Sequence, residues 1–181
     1  MVRAMSELIN LRELAKPLPL DRLQIRVAEL RKSARGDVYA RLLVYKDSRV
    51  DMEVLDEVVG PDRWSLDVQI IPGDEEVTAV ASLTVVLEGG REVTKTGVGS
   101  GRDAKSAASD ALKRAGFLYG IGRELYSYPD IVVKLKDGEW YERNGRLGLS
   151  NSARLNDWRL ERKNGKLVLL DAHGNVRWEE K

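Results

Sequence analysis

Three stretches of this 181-residue chain carry residues whose types and spacing could do chemistry, and each would attract an anion. The first is Gly97-Val98-Gly99-Ser100-Gly101, directly ahead of a helical pattern. Free amides at a helix start attract phosphate, and Gly99, Gly101 and Ala104 meet a relaxed G-x-G-x-x-A dinucleotide fingerprint. The run before it, Glu92-Val93-Thr94-Lys95-Thr96, alternates polar and apolar as an antiparallel strand does. A dinucleotide site needs a strand buried on both faces, so a plain strand-to-helix turn is the competing reading. The second stretch sets Lys113 and Arg114 on the helix, with Arg102, Lys105 and Arg123 around it. Asp110 stands three and four residues before that pair, so helix-surface ion pairing is the alternative to a phosphate contact. The third is Arg41, Tyr45, Lys46 and Arg49. Strand alternation puts Arg41 and Tyr45 on one face, where cations follow phosphates and an aromatic ring stacks on a base. The alternative for Tyr45 is a core residue with a wet hydroxyl.

No catalytic constellation accompanies these groups. Carboxylates fall on what reads as a solvated helix face, Asp51, Glu53, Asp56 and Glu57, or in the loop cluster Asp74-Glu75-Glu76. The single histidine, His173, sits in a turn near the end, and there is no cysteine for a disulfide or a thiolate metal site. We therefore expect no enzyme, no cofactor and no metal, with carboxylate-only metal hydrolysis and nucleotide chemistry at the Gly97–Gly101 turn as the catalytic alternatives. Net charge is +1, yet Lys and Arg outnumber Asp and Glu 11 to 6 in residues 1–50 and are outnumbered 1 to 10 in residues 51–90. Residues 91–130 carry 7 against 5 and residues 131–181 carry 11 against 8. An acidic middle between basic flanks suits one face for an anion and another for a basic neighbour. Met1–Leu20 is charged and lacks a long apolar run, so neither a secretory signal nor a membrane span is expected, and the expected location is cytoplasmic.

The elements that must position these residues follow from periodicity. Residues 5–15 and 20–32 read as two short helices, and residues 38–45 as a first strand. Asp47 or Ser48 caps a helix running to Val58, which Gly60-Pro61 ends. Strand-like runs follow at Trp64 to Ile71, Val77 to Leu87 and Arg91 to Val98, with a hairpin at Glu88-Gly89-Gly90. Asp103 or Ser100 then caps a long helix whose Ala104, Ala107, Ala108, Ala111, Ala115 and Leu118 form one narrow apolar stripe. The expected class is α+β: an antiparallel β-β-β-α core, a helix packed on a curved sheet with a β-hairpin. Beyond Pro129, turns at Asp137-Gly138, Asn144-Gly145, Asn164-Gly165 and His173-Gly174 space short β-like runs. The expected division is a domain over residues 1–128 and a β-hairpin-rich extension over residues 129–181.

Two blocks resemble the Rad-fifty-two superfamily of single-strand annealing proteins, especially its shorter DdrA-like and Sak-like bacterial and phage members. One runs from Tyr45-Lys46-Asp47-Ser48-Arg49-Val50 through Leu55-Asp56-Glu57-Val58-Val59-Gly60 to Trp64. The other joins Gly97-x-Gly99 to Ala108-Ser109-Asp110-Ala111-Leu112-Lys113-Arg114-Ala115 and Gly120-Ile121-Gly122-Arg123-Glu124-Leu125-Tyr126. The resemblance implies a homo-oligomeric ring or curved multimer that holds single-stranded DNA in a basic groove and anneals strands in recombination and repair, without nucleotide hydrolysis. It implies backbone contacts from Lys113 and Arg114, a first-strand contact from Arg41, and outer contacts from Lys95, Arg102 and Lys105. Tyr45 and Arg49 complete the expected DNA-binding set. A single-strand binding protein or a recombinase is an expected further partner. The acidic helix of residues 51–57 is expected to meet a basic surface on the adjacent subunit. The rival readings are a double-stranded RNA-binding module, a nucleotide-binding enzyme using the Gly97–Gly101 turn, and a purely structural ring.

Overall fold

The computed structural model describes residues 10–181. In chain order its regular elements are β1 (Leu23–Lys32), β2 (Val38–Lys46), α1 (Ser48–Val59), β3 (Trp64–Ile71), β4 (Val77–Val86), β5 (Glu92–Gly101) and α2 (Ala104–Tyr119). There follow β6 (Ile131–Lys134), β7 (Trp140–Arg143), β8 (Arg146–Leu149), β9 (Arg159–Lys163), β10 (Lys166–Leu170) and β11 (Val176–Glu179). This is α+β with antiparallel sheets and a β-rich carboxy-terminal region, as the sequence pattern indicates. Of the helix expected over residues 5–15, residues 5–9 lie outside the described residues, and Leu11–Ala15 forms a short 3-10 helix. No helix among the described residues is long and apolar enough to cross a membrane. The chain divides into two units, each discontinuous in sequence: Met1–Leu18 with Asp47–Arg123, and Pro19–Lys46 with Glu124–Lys181.

The first unit is α1, a three-stranded antiparallel sheet in the order β3-β4-β5, and α2. Asp47 caps α1 by accepting from the Arg49 amide at 2.9 Å, and Gly60 ends it at φ 95°. α2 opens on a reciprocal box: the Asp103 carboxylate accepts from Ser106 N at 2.7 Å, and Ser106 Oγ accepts from Asp103 N at 3.2 Å. The Ser106 amide first, and then the Ser106 hydroxyl donating at 3.0 Å, hold the Asp103 carboxyl below its ordinary value. Along β4 the side chains alternate, and Ala79, Ala81, Leu83 and Val85 are fully buried on the side that α2 covers.

Opposite Ala81 and Ala79 in register lie Gly97 and Gly99 of β5. The glycine run read as a turn is therefore strand. A β-carbon on Gly97 would come within 2.4 Å of the Ala111 carbonyl oxygen, and one on Gly99 within 2.3 Å of the Ala111 amide. α2 answers with Ala107, Ala111 and Ala115, all fully buried. Each buried methyl contributes only about 0.8 kcal/mol, so the junction depends on backbone-to-backbone closeness that larger residues would forbid. These glycines thus lie inside a strand packed under α2, and the strand-to-helix turn is confined to Arg102 and Asp103. Asp51 also departs from expectation: it is fully buried, and a β-carbon at Gly116 would approach its Oδ1 at 2.3 Å. The acidic outer face of α1 thus reduces to residues such as Glu53 and Asp56, and Asp56 accepts from the Trp64 indole at 2.7 Å.

The second unit holds sheets in the orders β1-β2-β6 and β11-β10-β9, with the β7-β8 hairpin. Residues 20–32, expected as a helix, are a short 3-10 turn at Leu20–Arg22 followed by strand β1. Ile25, Ala40, Leu42, Ile131 and Val133 share one buried cluster with Trp158, Leu160, Leu167 and Leu169, so the two sheets enclose a common core. The expected Asn-Gly turns join β7 to β8 and β9 to β10, with Asn144 and Asn164 both at φ 52°.

Beside that core the Arg177 guanidinium grips Glu139 with two bonds of 2.7 Å and lies 4.4 Å from the Trp158 ring centroid. Burial disfavours the Glu139 charge, but the Arg177 bonds and the Lys136 amide outweigh it and leave that carboxyl below its ordinary value. A buried ion pair satisfied this fully fixes geometry more than it adds stability.

Candidate nucleic-acid interface

In the first unit the expected cations sit on α2, β5, the turn between them and α1, exposed except for the half-buried Lys113. Arg114 Nε donates to Asp110 Oδ2 at 2.8 Å, while Lys113 Nζ lies 3.7 Å from Asp110 Oδ1. One carboxylate thus serves two cations, as the helix spacing requires. Arg114 is the more exposed, with 64% of its side chain accessible against 36% for Lys113. Arg102 and Lys105 are exposed on either side of the capping residue Asp103. Lys95 is exposed on β5, and its register opposite the buried Leu83 puts it on the α2 side of the sheet. Arg49 extends from the first turn of α1, 3.5 Å from Asp47. Arg123 is otherwise engaged: it donates to the Phe117 and Leu118 carbonyls at 2.8 Å each, closing the end of α2.

Arg41 and Tyr45 belong to the second unit, where they share the outer face of β2. Its inner-facing neighbours Ala40 and Leu42 are buried, so alternation leaves Arg41 accessible. Arg41 stands 3.8 Å from Glu29 and 3.7 Å from Asp130. The Arg26 guanidinium lies 5.6 Å from the Tyr45 ring centroid, a cation over an aromatic face. Arg31 donates to Glu29 at 2.6 Å, and that hydrogen bond, ahead of the more distant Arg41, keeps the Glu29 carboxyl below its usual range. Lys134 of β6 pairs with Asp37 at 2.7 Å, which raises its pKa. Lys46, by contrast, is buried, so alternation separates it from Arg41 and Tyr45.

Sequence reasoning missed Arg26, Arg31 and Lys134. Their signal was the strand character of β1 and β6, which sets Arg26 opposite Leu43, Arg31 opposite Tyr39, and Lys134 opposite Tyr39 from the other side. The outer face of this sheet therefore interleaves cations with Tyr39, Leu43 and Tyr45.

Residues 11–143 match the Rad52/22 family double-strand break repair protein. The chain is 33% identical over 143 residues, 77% of its length, to the single-stranded DNA-binding protein DdrA of Deinococcus radiodurans. It is 37% identical over 100 residues, 55% of its length, to the protein of the same name from Deinococcus deserti. These alignments cover 65% and 49% of the respective relatives, so the chain spans between half and two thirds of the curated proteins it matches.

Proposed function

The chain belongs to the Rad52/22 family of double-strand break repair proteins, and from that premise we propose that it binds single-stranded DNA and anneals complementary strands in recombination and repair. The observation that carries the reading is the sharing of Asp110 by Lys113 and Arg114. Both cations reach solvent on one turn of α2, where a phosphate can take up charge-assisted bonds beside Asp110. We assign further backbone contacts to Arg41, Arg49, Lys95, Arg102 and Lys105, and base stacking to Tyr45. Annealing needs phosphates held and base edges exposed, so that a second strand can test pairing; it requires no hydrolysis of a nucleotide. With a net charge of +1 per chain, a continuous groove needs several copies, so the working form is a homo-oligomer, ring-shaped or curved. Single-strand binding protein or a recombinase would meet it on the same DNA, in the cytoplasm.

The test is fluorescence annealing of complementary oligonucleotides by the parent and a Lys113→Ala, Arg114→Ala double variant. The variant should keep its oligomeric mass and lose most strand binding. Full retention of annealing would remove these residues from the mechanism.

A duplex-RNA module is the second reading, favoured by the α1-β3-β4-β5-α2 order of the first unit. It needs a dense basic cluster at the start of α2, where Arg102 and Lys105 flank an acidic cap. Affinities for single-stranded DNA and duplex RNA of equal length discriminate the two.

A further inference from the structure

In the second unit a cavity of about 280 Å³ opens between the start of β1, the end of β2 and the turn before β9. Leu23, Ile25, Tyr45, Leu155 and Trp158 are among the residues that line it, and the surface it presents is mainly polar. Two carboxamides, Gln24 and Asn156, complete the lining. We infer that this cavity receives one unstacked nucleobase of the bound strand; the inference rests on the single-stranded DNA reading and adds a base site to it.

Size limits the occupant. At about 280 Å³ the cavity lies near the lower end of small-molecule sites, with room for a planar heterocycle. Its chemistry fits the same ligand. Tyr45 offers a ring face for stacking, while the mainly polar lining suits the polar edge of a heterocycle. Each carboxamide presents a donor and an acceptor side by side, the pattern complementary to the polar edge of a base. Arg26, 5.6 Å from the Tyr45 ring centroid, puts a cation beside the cavity for the phosphate that accompanies the base.

The cavity is also held in shape. Trp158 is 6% exposed and is fixed against Arg177, itself locked to Glu139. Leu155 and Asn156 follow Arg154, a non-glycine residue in the left-handed region at φ 48°, ψ 43°. Arg154 is secured there by bonds of 2.7 and 2.6 Å from its Nε and Nη2 to Asp157. Such strain persists only where the surroundings over-determine it, and it concentrates at ligand clamps. Leu155, Asn156 and Trp158 lie beyond the family-matched residues 11–143, whereas Tyr45 and the β1 residues lie within them. The carboxy-terminal segment thereby supplies half of a site whose other half sits on the cation-bearing sheet.

The experiment compares the parent with Asn156→Ala and Gln24→Ala, both at exposed positions. Probes are an ordinary single-stranded oligonucleotide and an abasic strand with the same number of phosphates, at one salt concentration. The expected result is that each variant loses about five- to tenfold in affinity for the base-bearing strand. Affinity for the abasic strand and its salt dependence should be unchanged. Equal affinities of parent and variants for the base-bearing strand would overturn the inference while leaving strand binding intact. Absence of salt-sensitive binding by the parent to either strand would overturn the functional reading and the base site with it. A deoxynucleoside monophosphate bound as tightly as the strand, and lost in the variants, would identify a free nucleotide and overturn a strand base as the occupant.

Discussion

Gly97 and Ala111 bring a strand and a helix so close that a β-carbon on the strand residue would lie 2.4 Å from the helix carbonyl oxygen. The obstacle is backbone, so no rotamer change relieves it, and α2 would have to lift from β5. Gly97→Ala should therefore destabilise the first unit by about 2 kcal/mol or more, read as a lower urea midpoint. Gly89→Ala is the contrasting change: its β-carbon meets nothing within 4 Å, and the cost is confined to the positive φ of 75°. If the two variants unfold at the same denaturant concentration, the close approach is not what holds the helix down.

That junction shows what could be read in the chain and what could not. Gly97, Gly99 and Gly101 recur at intervals of two, the period of one strand face, and Ala107, Ala111 and Ala115 recur at intervals of four. Both signals were present, but glycine's preference for turns masked the first. Strand β1 was hidden differently. Its register slips between Val27 and Glu29, so Leu23, Val27 and Leu30 fall at helix-like spacing although all are strand residues. The cations Lys113 and Arg114 were legible with their partner Asp110, because helix spacing alone makes them neighbours. The base cavity was not, since it joins residues 23–45 to residues 155–158 across more than a hundred intervening positions.

Asp110 restrains the two cations proposed to hold DNA. Asp110→Asn should tighten single-strand binding by about three- to tenfold. It should also steepen the dependence of log affinity on log salt, by about 0.7 for each additional phosphate neutralised. The accompanying loss of helix-surface pairing is small, about 0.3–0.5 kcal/mol per pair, so thermal stability should change little. Fluorescence anisotropy across a salt series checks both numbers. Weaker binding by this variant would mean that the carboxylate positions the cations instead of competing for them.

Acid should loosen the second unit through Asp171. Burial works against its charge, but the Asn175 amide and carboxamide, the His173 amide and Lys136 outweigh it and bring its pKa down to about 2. An unfolded aspartate titrates at about 3.9. Because the folded value is the lower, this contribution is intact above about pH 4 and is lost as pH falls towards about 2. Asp171→Asn should be less stable than the parent at neutral pH, and the gap should close between about pH 4 and about pH 2. A gap that does not vary with pH would trace the loss to altered turn geometry, not to the carboxylate charge.

Base acts on the first unit through Tyr119, near the end of α2. Its hydroxyl proton is shared between the carbonyls of Leu83, at 3.0 Å, and Val93, at 2.5 Å, so one side chain ties the helix end to both β4 and β5. Burial pushes this phenol up to about 12, against about 10 for an exposed tyrosine. The folded value being the higher, the contribution is complete below about pH 10 and is lost as pH rises through about 12. Tyr119→Phe keeps the ring and removes the proton, which should cost about 1 kcal/mol at neutral pH. Between about pH 10 and about pH 12 the parent should lose stability more steeply than the variant, and the two denaturation curves should converge. Parallel loss in both proteins across that range would mean that this hydroxyl ionises as freely in the folded protein as in the unfolded chain, and that the helix end is held by ring packing alone.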